Sequence, residues 1–151
     1  MRRILALCIT GAALLSLAAC GATRPSKYYS LSLPAAAQQL PDAAAFPVSL
    51  LIGRLTAPHL YRDDHIVYRK AGQELGTYQY LRWAAPPTEM IEANLLHRLR
   101  ASGRYRTVQL LRSDARGDYI LRGRLHNFEE VNAGSVVARV TLEVELYEVK
   151  N

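Results

Sequence analysis

The chain has 151 residues, half of them hydrophobic, with 19 Lys and Arg against 13 Asp and Glu and a net charge of +6. That balance excludes a disordered, strongly charged chain. The length suits one domain with its own core rather than two, and 2 cysteines exclude a fold stapled by several disulfides.

In chain order, Met1-Arg2-Arg3 is a basic start, and Ile4 to Leu17 is an apolar run broken only by Thr10, Gly11 and Ser16. Small residues and Cys20 follow. This is the three-part pattern of a secretory signal over residues 1–19, too short for a comfortable membrane-spanning helix of about 20 residues. The closing "LAAC", Leu17 to Cys20, resembles a bacterial lipobox. The resemblance implies cleavage before Cys20 and a covalent diacylglycerol and N-acyl chain on that residue. One acyl chain holds a protein only marginally, whereas two or more fasten it stably. By the sorting rule that accompanies such signals, Gly21 in place of an aspartate implies the outer membrane, facing the periplasm.

Removing residues 1–19 leaves 132 residues and lowers the net charge to +4, because Arg2 and Arg3 leave with the signal. Cys8 leaves too and Cys20 is lipidated, so no disulfide remains available and the fold must rest on its hydrophobic core. Residues 20–27 form a polar tether that reaches at most roughly 25 Å, keeping the domain of residues 28–151 near the membrane.

"YYSLSL" from Tyr28 reads as a first strand, and Pro34 to Pro47 as a connector punctuated by prolines. "VSLLIGRL" from Val48 suits a central strand. "HIVYRK" and "TYQYLRW" read as a hairpin around "AGQELG". Pro86-Pro87 opens the one convincing helix, "TEMIEANLLHRLRAS". In it Ile91, Leu95 and Leu99, with Met90 and Leu96 beside them, form an apolar stripe. Glu89 and Glu92 near its start, Arg98 and Arg100 near its end, and Gly103 after it suit the dipole and the C-terminal cap.

"YRTVQLL" and "DYILRGRLHNF" follow as strands. Val136, Ala138, Val140, Leu142, Val144 and Leu146 then alternate with more polar positions, which predicts a strand with one buried face. If "EVNAGS" makes the turn, Arg122 and Arg124 face Glu143 and Glu145. The predicted class is α+β: a single domain with a largely antiparallel sheet and one amphipathic helix on a face.

No catalytic constellation stands out. His59, Asp63, Asp64 and His65 are the densest group of polar ligand types, but they lack a metal-binding spacing and read as a polar turn before a strand. No serine lies in a G-x-S-x-G setting and no phosphate-binding GxxxxGK[ST] occurs. The expectation is a non-enzyme with no metal and no cofactor beyond the lipid. Eight arginines, Arg98, Arg100, Arg104, Arg106, Arg112, Arg116, Arg122 and Arg124, crowd one stretch. An exported protein does not ordinarily meet nucleic acid, so anionic head groups, an acidic partner or a plain solvated face are the alternatives.

Several segments in order carry a resemblance over the whole mature chain: "LAAC", "YYSLSLP", "PHLYRDDHIVYR", "RWAAPPTEMIEANLLHRL", "SGRYRTV" and "DYILRGRLHNFEE". They resemble the ABC-type transport auxiliary lipoproteins, the PqiC-like lipoproteins. The matching positions are Tyr28, Tyr29, Leu31, Pro58, Leu60, Asp63, Tyr68, Trp83, Ala84 and Pro86. The resemblance implies an accessory to an ABC system containing an MCE-domain protein, moving phospholipids or other hydrophobic molecules across a Gram-negative envelope. Tyr28, Tyr61 and Trp83 are the candidate partner contacts, and a homo-oligomer is compatible with the same reading. Family members usually continue past "ELYEVKN", so the chain reads as truncated at its C-terminus or as leaving a sheet edge for a partner or second copy. The competing reading is a structural envelope-assembly lipoprotein with no transported ligand.

Overall fold

The computed structural model describes residues 24–32, 45–70, 73–112, 114–132 and 134–150. The expected signal, Cys20 and most of the proline-rich connector lie outside these residues. Seven strands form one sheet: β1 (Lys27–Tyr29), β2 (Phe46–Thr56), β3 (His65–Arg69), β4 (Leu75–Trp83), β5 (Tyr105–Leu110), β6 (Tyr119–Asn132) and β7 (Val136–Glu148). The one α-helix among the described residues, α1 (Pro87–Ala101), crosses from β4 to β5, and a 3₁₀ turn at His59–Tyr61 separates β2 from β3.

The α+β class and the single helix are as the sequence predicts. Pro87 supplies the first helical residue, where a missing N–H costs nothing. The helix ends through Ser102, whose N–H donates to Arg98 O, and Gly103 at φ +63°, a left-handed conformation that glycine adopts without strain. Its apolar stripe packs onto β2 and β5: Leu95, Leu96 and Leu99 meet Leu50, Ile52 and Val108. Ile91 joins a second cluster with Leu55, Tyr61, Val67, Leu125 and Phe128. Where the β2–β6 register shifts between Ile52 and Leu55, the freed Leu55 N–H donates to Glu92 Oε1 at 2.6 Å, so the helix repairs the interrupted ladder.

The sheet itself is a correction to the expectation of a largely antiparallel one. Only β3–β4 and β6–β7 pair antiparallel; β1–β4, β2–β5, β2–β6 and β3–β6 are parallel. The cause is one long strand. β2 runs along the first half of β6, ending at Thr56 opposite Arg124, and after the 3₁₀ excursion β3 resumes along the same edge with Val67 opposite Glu129. The crossover through α1 then lays β5 parallel to β2. Both hairpins, β3–β4 and β6–β7, are where the sequence predicts them.

A second correction concerns β7. Its alternation is real, and Leu142 and Val140 stand directly opposite buried Leu125 and Phe128, on the α1 side of the sheet. Leu142 packs against the cluster of Ile91, Leu125 and Phe128, but Val140 stays exposed, because α1 lies over β2 and β5 on the other flank of β6. Val136 is 64% exposed, Val140 57%, Val144 49% and Leu146 61%; Leu142 is half-buried.

Candidate partner-contact surface

The chain passes Tyr28, Tyr61 and Trp83 through very different surroundings. Tyr28 lies on β1 at the edge of the sheet and is 65% exposed. Its neighbour Tyr29 is fastened by Ala84 N–H, which donates to Tyr29 O at 2.7 Å, and Asn94 of α1 donates to Leu31 O at 3.2 Å. These bonds tie the segment after the expected tether to the β4–α1 junction.

Trp83 ends β4 and is half-buried, its ring 5.2 Å edge-on from Phe128. Its backbone N–H donates to Asp64 O at 2.6 Å, while its indole Nε1 is buried without a partner among the described residues. Trp83, Phe128, Leu31 and Leu81, with Val136 and Val140 of β7, line a largely apolar groove of about 570 Å³.

Tyr61 is only 3% exposed and sits in the core. Its hydroxyl donates to Glu129 Oε2 at 2.7 Å. Arg69 donates to the same carboxylate through two nitrogens, Nε to Oε1 at 2.8 Å and Nη2 to Oε2 at 3.1 Å, and Arg139 Nη1 adds a contact at 3.4 Å. A buried carboxylate is costly unless paired and hydrogen-bonded, and this one is both. Burial pushes the Glu129 carboxyl upward, but the bonds from Arg69 and Tyr61, with the charges of Arg69 and Arg139, outweigh it and hold the group below its ordinary 4.5. Burial first, then the bond to Glu129, raises the Tyr61 hydroxyl. Sequence reading missed this network because Glu129 stands 68 positions from Tyr61.

The polar turn is occupied locally: Asp64 Oδ1 accepts from Arg82 Nη1 at 2.7 Å and lies 3.8 Å from His65 Nδ1. Among the described residues no three His, Cys, Asp or Glu side chains gather as a metal would need, and no helix is long and apolar enough to cross a membrane. The arginine-rich stretch does not form one face. Arg98 and Arg100 are on α1, Arg104 lies just before β5 with its guanidinium 4.9 Å from the Phe46 ring centroid, and Arg122 and Arg124 are on β6. Arg100 Nε donates to Val108 O at 2.8 Å, so part of this basic stretch braces the helix against β5. Arg122 stands opposite Glu145 and Arg124 opposite Glu143, as expected. The carboxylates bond elsewhere: Glu143 to His126 at 2.8 Å, Glu145 to the Tyr147 hydroxyl.

Residues 29–149 match the model of a family described as the ABC-type transport auxiliary lipoprotein component. No curated protein matches the chain. Among solved structures, one from Xanthomonas campestris, of the DUF330 family, superposes with a TM-score of 0.73 at 24% identity, covering 82% of this chain and 69% of that one. A second, titled only as an uncharacterized protein, gives 0.55 at 16% identity over 84% and 81% of the two chains. Both show the same fold.

Proposed function

Since the chain belongs to the family of ABC-type transport auxiliary lipoprotein components, we propose that it is the non-enzymatic, membrane-anchored accessory of one such transporter. In this reading Cys20 carries the acyl chains, and the domain stands on the periplasmic side of the outer membrane beside an MCE-domain partner. The cargo is a phospholipid or another hydrophobic molecule. The observation that carries the reading is the family match across the folded domain, residues 29–149, joined to a lipobox-like "LAAC" immediately before it.

A docking role is supported by the surface of the domain. Its core polar side chains, Tyr61, Arg69 and Glu129, bond to one another. What faces outward is aromatic and aliphatic: Tyr28 on one edge strand, the groove beside Trp83 and the apolar side of β7. Large exposed apolar patches mark sites of association, so the contribution of this protein is to hold an assembly together where it meets the membrane.

The test is a mild-detergent pull-down of the full chain from its own envelope beside a Cys20→Ala control, with mass spectrometry of retained proteins and lipids. Recovery of an MCE-type protein together with phospholipid is the expected result. Recovery of outer-membrane structural proteins alone would replace the transport reading with a bracing one.

A further inference from the structure

We propose that the cleft where β1 meets β4, lined by Arg24, Lys27, Gln79 and Tyr80, holds the phosphate of an anionic phospholipid in the leaflet to which the chain is fastened. The site rests on the reading of Cys20 as the acylated anchor and adds to it a head-group contact made by the folded domain.

An irregularity in β4 builds the cleft. His65 stands opposite Arg82 and Val67 opposite Thr77, so two steps along β3 span five along β4, and three extra residues are accommodated within 78–81. Bulges of this kind re-aim side chains and recur beside functional sites. Here residues 78–81 meet the leading residues of β1, and together with Arg24, Pro25 and Lys27 they enclose about 250 Å³. The cations are placed rather than trailing: Lys27 pairs with Leu81 in the sheet, and the Arg24 guanidinium lies 5.9 Å from the Tyr80 ring centroid.

The lining offers two cations, a carboxamide and phenols, and no carboxylate. Tyr78 donates its hydroxyl to Glu130 Oε1 at 2.8 Å, so the donors left for a ligand are those of Arg24, Lys27, Gln79 and Tyr80. Charge balance singles the pair out. Arg69, Lys70 and Arg82, the Lys and Arg residues of the β3–β4 hairpin, each hold a carboxylate, from Glu129, Glu74 and Asp64 in turn. Among the described residues neither Arg24 nor Lys27 has one. Two cations and neutral donors are the chemistry that recognises a phosphate.

The anchor says which phosphate. Arg24 comes four positions after Cys20, a contour of at most about 14 Å. The head-group layer of a bilayer is roughly 5–7 Å deep on each side, and arginine and lysine carry their charge at the end of a long apolar stem. An acylated Cys20 therefore keeps the cleft within reach of the head groups and presents them at high effective concentration, so that a shallow site suffices. Tyr28, 65% exposed next to Lys27, adds the amphipathic ring that suits a membrane–water boundary.

The test is hydrogen exchange on the full chain reconstituted into phosphatidylcholine vesicles, with or without an equal part of phosphatidylglycerol. The amides of β1 and of residues 78–81 are expected to exchange about fivefold more slowly when phosphatidylglycerol is present, the weight of one basic charge at an anionic surface. Arg24→Gln combined with Lys27→Gln is expected to abolish the difference with the circular dichroism spectrum unchanged. Arg106→Gln, at an exposed position on β5 at the other end of the strand order, is expected to keep it. Three results would overturn the proposal: equal exchange in the two vesicles, a difference that Arg106→Gln removes as fully as the double variant, or the same slowing by free glycerol phosphate without vesicles. The intact mass reports acylation of Cys20 separately. An unacylated chain that still shows the difference would end the anchor reading and keep the cleft, whereas an acylated chain without it would keep the anchor and remove the cleft.

Discussion

Glu129 is the residue on which local stability turns. Its carboxylate is inaccessible to solvent and is held by Tyr61 and Arg69 with help from Arg139. Tyr61→Phe removes one bond to a charged acceptor without changing shape, and is expected to lower stability by about 2 kcal/mol, read by urea denaturation. Arg69→Met is expected to cost more, because it leaves the buried carboxylate without its principal counter-charge. The pH dependence has a definite sign. A carboxyl held below 4.5 in the folded state adds stability above the unfolded value and loses it as pH falls through the lower folded one. Melting temperatures should therefore drop as pH falls below about 4.5, and the gap between the native chain and Glu129→Gln should narrow over the same range. None of this was legible in the sequence, where Tyr61 reads as a candidate partner contact. A side chain's partner across 68 positions depends on which strands neighbour one another.

At the scale of elements, what was local was legible. The helix, its opening proline, its closing glycine and both hairpins follow from periodicity and turn chemistry over spans of fewer than about 20 residues. The β6–β7 turn uses Gly134 at φ +91°, a conformation that other L-residues rarely adopt. Gly134→Ala is expected to cost about 1 kcal/mol, with the loss appearing as a lowered denaturation midpoint and an unchanged helix signal. The alternation of β7 gave its two faces and its register with β6 correctly, Arg122 opposite Glu145 and Arg124 opposite Glu143. It did not say that the apolar face would be bare, since periodicity records which side of a strand is apolar and not what lies against it.

For the whole molecule, the class was within reach of the sequence and the sheet's directions were not. Parallel pairings such as Leu50 with Tyr119 or Val67 with Glu129 join segments some 60 to 70 positions apart, and no composition signal distinguishes them from antiparallel ones. The domain exposes Tyr28 on β1, the apolar residues of β7 and the groove beside Trp83. In the proposed function these surfaces make the contacts, and Cys20 holds them at the membrane. The measurement that tests it most directly is the amount of the MCE-type partner co-fractionating with the outer membrane in cells carrying the native chain or Cys20→Ala at equal levels. The partner is expected to fractionate with the outer membrane alongside the native chain and to be lost from it with Cys20→Ala. A partner distribution that is the same in both strains would contradict it.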